Sequence, residues 1–252
     1  MDADALERQE SRFPWPGRGG PNIDYISAPP SAAYCSRRPR RLALLGSTGS
    51  VGRVAFDIAI SDPDFFRIEA LAGGKNTNLL AEQGARCKAR FLATRDAATA
   101  IDLRSRLKEG YNPEILYGKD GYKKLASLAS VDCVLSAQSG AIGLHGTLAA
   151  ARAGKVIALA NKESLAIGGN LIRETCRRSG ASVLPVDSEH FALFQCAVGR
   201  GQTPAKFILT ASGGPFRGLK REETRKKTVG EALRHPKWKM GAKITIDSAT
   251  LM

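Results

Sequence analysis

Leu42-Ala43-Leu44-Leu45-Gly46-Ser47-Thr48-Gly49-Ser50-Val51-Gly52 is the stretch that decides the fold. An apolar run just long enough for one strand ends in glycines spaced i, i+3, i+6, and a helical pattern over 50–60 follows at once. Gly46 permits a tight turn, Gly49 lets backbone N–H groups approach a diphosphate, and Gly52 allows close helix-to-strand packing. Thr48 and Ser50 add hydroxyl donors. An ordinary glycine-rich turn can share this spacing, so the strand–turn–helix context carries the expectation of a dinucleotide cofactor.

The pattern continues outward. Strands at 66–72 and 91–94 flank a helix at 77–87, helices at 97–108 and 122–129 follow, and strands at 131–136 and 156–160 enclose a helix at 144–153. The fold class is α/β, a Rossmann-like doubly wound parallel sheet spanning 41–161. The second strand ends in Gly73-Gly74-Lys75-Asn76. Glu69 lies too early in that strand to reach a ribose 2′-hydroxyl, whereas Lys75 stands where a cation pairs with a 2′-phosphate, so NADPH is expected over NADH.

Beyond Asn161 the spacing loosens. A helix at 164–179, a strand at 182–185, a helix at 191–198 and strands at 207–210 and 244–246 predict an α+β catalytic domain over 162–252. It stops directly after its last strand and is expected to be truncated. At the other end, residues 1–40 hold six of the twelve prolines and no periodic apolar pattern, which predicts a disordered tail. Its Ser31-Ala32-Ala33-Tyr34-Cys35-Ser36-Arg37-Arg38 end suits a transit segment, against an acidic Met1-Asp2-Ala3-Asp4 opening.

Composition narrows the function. Of 252 residues, 43% are hydrophobic, enough for an ordinary core, and no run approaches the ~18 apolar residues of a membrane span. Five cysteines without a C-x-x-C pair argue against a zinc site or a disulfide framework. Of the +14 formal charge, much sits between residues 200 and 243, where twelve Lys/Arg face three Glu. This is either a solvated basic face or a means of attracting phosphorylated ligands. Only Trp238 offers a base-stacking ring in that stretch, so nucleic acid is not an expected partner.

Asp187-Ser188-Glu189-His190 follows a strand, at the end where α/β folds place chemistry. Carboxylate oxygens suit a hard cation, Mg²⁺ or Mn²⁺. A helix N-terminus with Glu189 in its first turn would use the same residues structurally.

Six blocks then occur in order: the glycine loop, Ala160-Asn161-Lys162-Glu163-Ser164-Leu165, Leu184-Pro185-Val186-Asp187-Ser188-Glu189-His190, Ser212-Gly213-Gly214-Pro215-Phe216, His235-Pro236-Lys237-Trp238 and Asp247-Ser248-Ala249-Thr250. Together they closely resemble the 1-deoxy-D-xylulose 5-phosphate reductoisomerases, from about Arg41 to Met252. The resemblance implies NADPH- and metal-dependent conversion of 1-deoxy-D-xylulose 5-phosphate to 2-C-methyl-D-erythritol 4-phosphate for isoprenoid synthesis. It makes Asp187 and Glu189 metal ligands and Lys162 a catalytic, substrate-binding cation. Ser188, Glu189, Ser212, His235, Trp238 and Ser248 become substrate contacts, with 235–243 a lid, although an isolated Trp is more often a packing residue than a lid. Gly46, Thr48, Gly49, Ser50, Val51, Gly74, Lys75, Asn76, Asn161, Glu163 and Gly241 become cofactor contacts.

Past the Ser248 motif the family continues with a further Asn-Lys pair, a third metal Glu and a helical C-terminal domain, none of which is present after Met252. The chain as written is therefore expected to bind NADPH but to turn over feebly or not at all, and the full-length protein to be a homodimer. Thr210-Ala211-Ser212-Gly213-Gly214 and the proline-rich tail resemble plastid-bearing lineages, implying a plastid address, with the cytoplasm as the bacterial alternative. A metal-independent NADP oxidoreductase and a non-catalytic Rossmann-type module are the rival readings.

Overall fold

Alternating side chains along each central strand fill two separate cores, and this two-sided burial makes the sheet parallel and doubly covered. The computed structural model describes residues 30–197, 206–239 and 241–249. Among these, β1 (Arg40–Leu45), β2 (Phe66–Ala72), β3 (Phe91–Thr94), β4 (Glu114–Tyr117), β5 (Cys133–Ser136), β6 (Val156–Leu159) and β7 (Ser182–Pro185) form one sheet in the order β4-β3-β2-β1-β5-β6-β7. Every pairing is parallel.

A short turn of helix, α1 (Ala32–Ser36), precedes β1. Helices α2 (Ser50–Ser61), α3 (Thr77–Cys87) and α4 (Ala97–Ser105) cover one face, where Phe56, Leu80 and Leu103 pack with Leu44, Leu71 and Leu92. On the other face lie α5 (Gly118–Ser127), α6 (Gly143–Arg152) and α7 (Glu163–Ser179), whose Leu125, Ala150 and Ile172 pack with Ala43, Leu45 and Ala72. The chain winds from β1 out to β4, then returns to β5 on the other flank of β1. That reversal opens a crevice at the carboxyl ends of β1 and β5.

Three expectations change here. Residues 30–40 are ordered rather than extended: Ser31 Oγ accepts the Tyr34 N–H, and Arg37 and Arg41 both pair with the buried Asp132. Residues 1–29, with the rest of the expected tail, lie outside the described residues. Strand β4 is additional. The first compact unit also runs to Asp187, since α7 packs on α6 and β7 extends the sheet, so the expected boundary at 161/162 falls inside it.

The second unit comprises Ser188–Ala197 and Pro204–Met252. Its described elements are α8 (Ser188–Ala197), a 3₁₀ turn (Gly214–Phe216), α9 (Arg221–Thr224), α10 (Val229–Ala232) and α11 (Ala242–Asp247). The strand expected at 207–210 is irregular, with Phe207 and Ile208 largely exposed. The strand expected at 244–246 is helical: Ile-Thr-Ile favours β structure locally, but the Lys243–Asp247 pair at i,i+4 spans this turn of α11. Among the described residues no helix is long and apolar enough to cross a membrane.

Candidate functional site: the crevice and its flanking motifs

The glycine loop is built by backbone constraints. Both Gly46 and Ser47 donate N–H bonds to Ala72 O, at 2.8 and 2.9 Å, which ties the loop to the end of β2. Gly46 has φ +92°, and a Cβ there would stand 2.6 Å from Ala137 O at the end of β5. Gly52 packs closer still, since its Cβ would lie 2.0 Å from Gly46 O. Gly49 is the N-cap of α2 and gives it no side-chain cap, and no acid occupies the first turn. The opening N–H groups of α2 are therefore available to an anion at the positive end of a helix dipole. Gly49 and Ser50 are exposed, and Thr48 and Val51 are half-buried.

The rim after β2 sits beside this loop, with Thr48 in van der Waals range of the Cβ position of Gly73. Tyr122, which no sequence motif singles out, donates its hydroxyl to Gly73 O at 3.1 Å. Burial pushes its phenol up to about 12, so it stays a donor. Gly74, Lys75 and Asn76 are exposed, and Asn76 caps α3 by accepting the Leu79 N–H. Lys75 makes no ion pair among the described residues. Glu69 sits at a register shift in the β1–β2 ladder, buried between Arg67 (3.4 Å) and Arg90 (3.8 Å). It is engaged away from the rim, as its early position in the strand suggested.

Asn161 is 2% exposed and saturated. Its Nδ2 donates to Gln138 O (2.5 Å), Gly140 O (3.1 Å) and Glu163 Oε2 (3.0 Å), and its Oδ1 accepts from the N–H and hydroxyl of Ser164. This amide joins the loop after β5 to the start of α7. Gly143 is required beside it, because a Cβ there would lie 2.6 Å from Asn161 Oδ1. Lys162 is half-buried at the N-cap of α7, with Glu163 in the first turn.

Asp187 follows β7, and Ser188 and Glu189 open α8, so the backbone takes the helix-start arrangement that the sequence left open. Ser188 Oγ donates to Glu189 Oε2 at 2.8 Å. The donors are oxygens, the chemistry a hard cation selects. Among the described residues no three His, Cys, Asp or Glu side chains converge as a metal site.

Within the second unit Ser212 and Ser248 come together. Ser212 donates its N–H and hydroxyl to Ser248 O (2.8 and 2.9 Å), and the two hydroxyls are 3.2 Å apart. They meet between an irregular segment and the end of α11, not at strand ends. Gly213 and Gly214 have positive φ, and a Cβ on Gly214 would overlap Ala249. His235 Nδ1 accepts the N–H groups of Lys237 (3.2 Å) and Trp238 (3.1 Å), and its ring stacks on Trp238 at 4.6 Å. Trp238 is 56% exposed, so it is not a core residue. Gly241 is the exposed N-cap of α11.

Comparison with known proteins shows the family. The family model for 1-deoxy-D-xylulose 5-phosphate reductoisomerase matches residues 42–169, and that for its C-terminal domain matches 183–252. The chain belongs to the 1-deoxy-D-xylulose 5-phosphate reductoisomerase family. Curated reductoisomerases of Oleidesulfovibrio alaskensis and Lawsonia intracellularis are 56% and 51% identical over 90% of this chain, covering 56% and 57% of theirs. The chain thus spans about half the length of the curated relatives it matches. A reductoisomerase crystallised with NADPH, fosmidomycin and magnesium superposes with a TM-score of 0.76 at 38% identity, covering 83% of this chain and 54% of that one. The Zymomonas mobilis reductoisomerase with NADPH gives 0.72 at 38% identity, over 84% and 54%.

Proposed function

We propose that this chain forms the cofactor-binding and part of the substrate-binding machinery of an NADPH- and Mg²⁺-dependent 1-deoxy-D-xylulose 5-phosphate reductoisomerase, yielding 2-C-methyl-D-erythritol 4-phosphate for isoprenoid synthesis. The observation that carries this reading is the uncapped N-terminus of α2, framed by the three glycines at the β1/β5 reversal, in a chain matched in order by both family models. A diphosphate fits the N–H groups of Ser50 and Val51 that open α2, and Lys75 offers a cation to a 2′-phosphate.

Asp187 and Glu189 would hold Mg²⁺ or Mn²⁺, which when bound supplies a Lewis acid to polarise the substrate's ketone. Lys162 favours negative charge developing on the substrate, Ser188 binds it, and Ser212 and Ser248 offer hydroxyls to its phosphate. His235 has Nδ1 occupied as an acceptor, which leaves its Nε2, buried and unpartnered among the described residues, to reach the substrate, while the exposed Trp238 covers the substrate and excludes water. Asn161 and Glu163 act on the cofactor chiefly by holding the β5 loop. Gly241 keeps the backbone open before α11.

The named relatives are bacterial, which favours the cytoplasmic alternative over a plastid address. Assembly as a homodimer belongs to the same reading of the longer protein. The test has two parts. The chain should bind NADPH more tightly than NADH, and equal affinities would overturn the cofactor assignment. In the relative-length protein, Asp187→Asn should abolish substrate-dependent NADPH oxidation, and undiminished turnover would overturn the metal assignment.

A further inference from the structure

Lys75 alone cannot neutralise a ribose 2′-phosphate, which carries close to two negative charges near neutral pH. A second cation, Arg53, lines the cleft that also holds Asn76, the residue next to Lys75. Arg53, in the first turns of α2, donates Nε to Thr48 O at 3.2 Å, which anchors its stem against the glycine loop and leaves both terminal NH₂ groups of the fork unpaired among the described residues. No ion pair forms between Arg53 and Asp57, its neighbour one turn on. Arg53 and Asn76 line the same cleft of about 450 Å³ between α2 and α3. Asn76 uses its Oδ1 to cap α3 and has no described partner for its NH₂. Of the two acids in this cleft, Glu82 is paired with Arg86 (4.0 Å) and Asp57 is exposed, one helical turn further along α2.

We infer that Arg53 is a specificity-determining residue that, with Lys75 and Asn76, binds the 2′-phosphate of the cofactor and so separates NADPH from NADH. The inference rests on the dinucleotide reading above. A guanidinium anchored through Nε can still offer parallel N–H bonds to phosphate oxygens, which a lysine cannot. NADH lacks that phosphate and gains nothing from Arg53.

Fluorescence titration of the 252-residue chain with NADPH and with NADH, and calorimetry with 2′,5′-ADP and 5′-ADP, test it. Arg53→Gln should weaken NADPH and 2′,5′-ADP about tenfold or more, the loss of one charge-assisted contact, and leave NADH and 5′-ADP unchanged. Arg53→Lys should recover part of the loss, and an unchanged circular dichroism spectrum would show the fold intact. A wild-type preference for NADPH that Arg53→Gln leaves untouched overturns this assignment alone, as does equal weakening of all four probes. Equal wild-type affinity for NADPH and NADH overturns it together with the NADPH reading.

Discussion

Alanine at Gly52 and at Gly49 should fail in opposite ways. The added Cβ at Gly52 would stand 2.0 Å from Gly46 O and 2.6 Å from Ser47 Cα, both backbone atoms that cannot rotate aside. α2 must shift, and forced overpacking of this kind costs about 3 kcal/mol. Alanine's better helix propensity returns about 1 kcal/mol, leaving about 2 kcal/mol. For a chain of this size that lowers Tm by about 4–8 °C. At Gly49 the backbone is unstrained, and the Cβ meets only Gly46 O, at 3.3 Å. Tm should then move by under about 3 °C, the shift expected for less than 1 kcal/mol. The methyl, however, occupies the surface a diphosphate must approach, and NADPH affinity should fall at least about tenfold. Thermal unfolding by circular dichroism and NADPH fluorescence titration read the two effects. Wild-type Tm in Gly52→Ala would refute the packing argument, and wild-type affinity in Gly49→Ala would refute the loop as diphosphate cradle.

Asp132→Ala should destabilise the first unit by about 1.5–3 kcal/mol, the cost of breaking a buried pair discounted because Arg37 and Arg41 are 52% and 36% exposed. Burial works to raise the Asp132 carboxyl, but hydrogen bonds from Arg41 and Arg37 outweigh it and hold the group below its ordinary range. Its stabilisation is thus complete above the unfolded value of about 3.9 and is lost as pH falls through the lower folded value. Wild-type Tm should drop more steeply below about pH 4 than that of Asp132→Asn; parallel curves would count against the pair. Asn161→Ala strips donors from Gln138 O and Gly140 O and an acceptor from Ser164 N, a loss of about 2–3 kcal/mol. Hydrogen exchange should rise together in 138–140 and 163–165, and a rise in one segment alone would contradict the linkage.

The first unit was legible because its signals are local. Leu42–Leu45 is a continuous apolar run, and the glycines after it sit at fixed spacing, so β1, the turn and α2 follow from neighbours in sequence. β4 was not legible: Glu114–Tyr117 is an edge strand with a partly exposed pattern and lacks the buried run that marked the others. Ile244-Thr245-Ile246 misled through β-branched propensity, although only Thr245 among them is buried. The exposed position of Lys75 at the end of β2 was visible from its place after a strand. Asn161's structural task was invisible because half its partners lie some 20 residues earlier, at Gln138 and Gly140.

Among the described residues strand β7 has a neighbour on one side only; it is four residues long and ends in a proline that cannot donate to any ladder. Asp187 leaves from that strand, while the glycine loop leaves from β1 at the sheet's centre. Warming should therefore loosen Asp187 before the glycine loop, so that amide hydrogen exchange rises at 183–187 at temperatures where 43–47 stay protected.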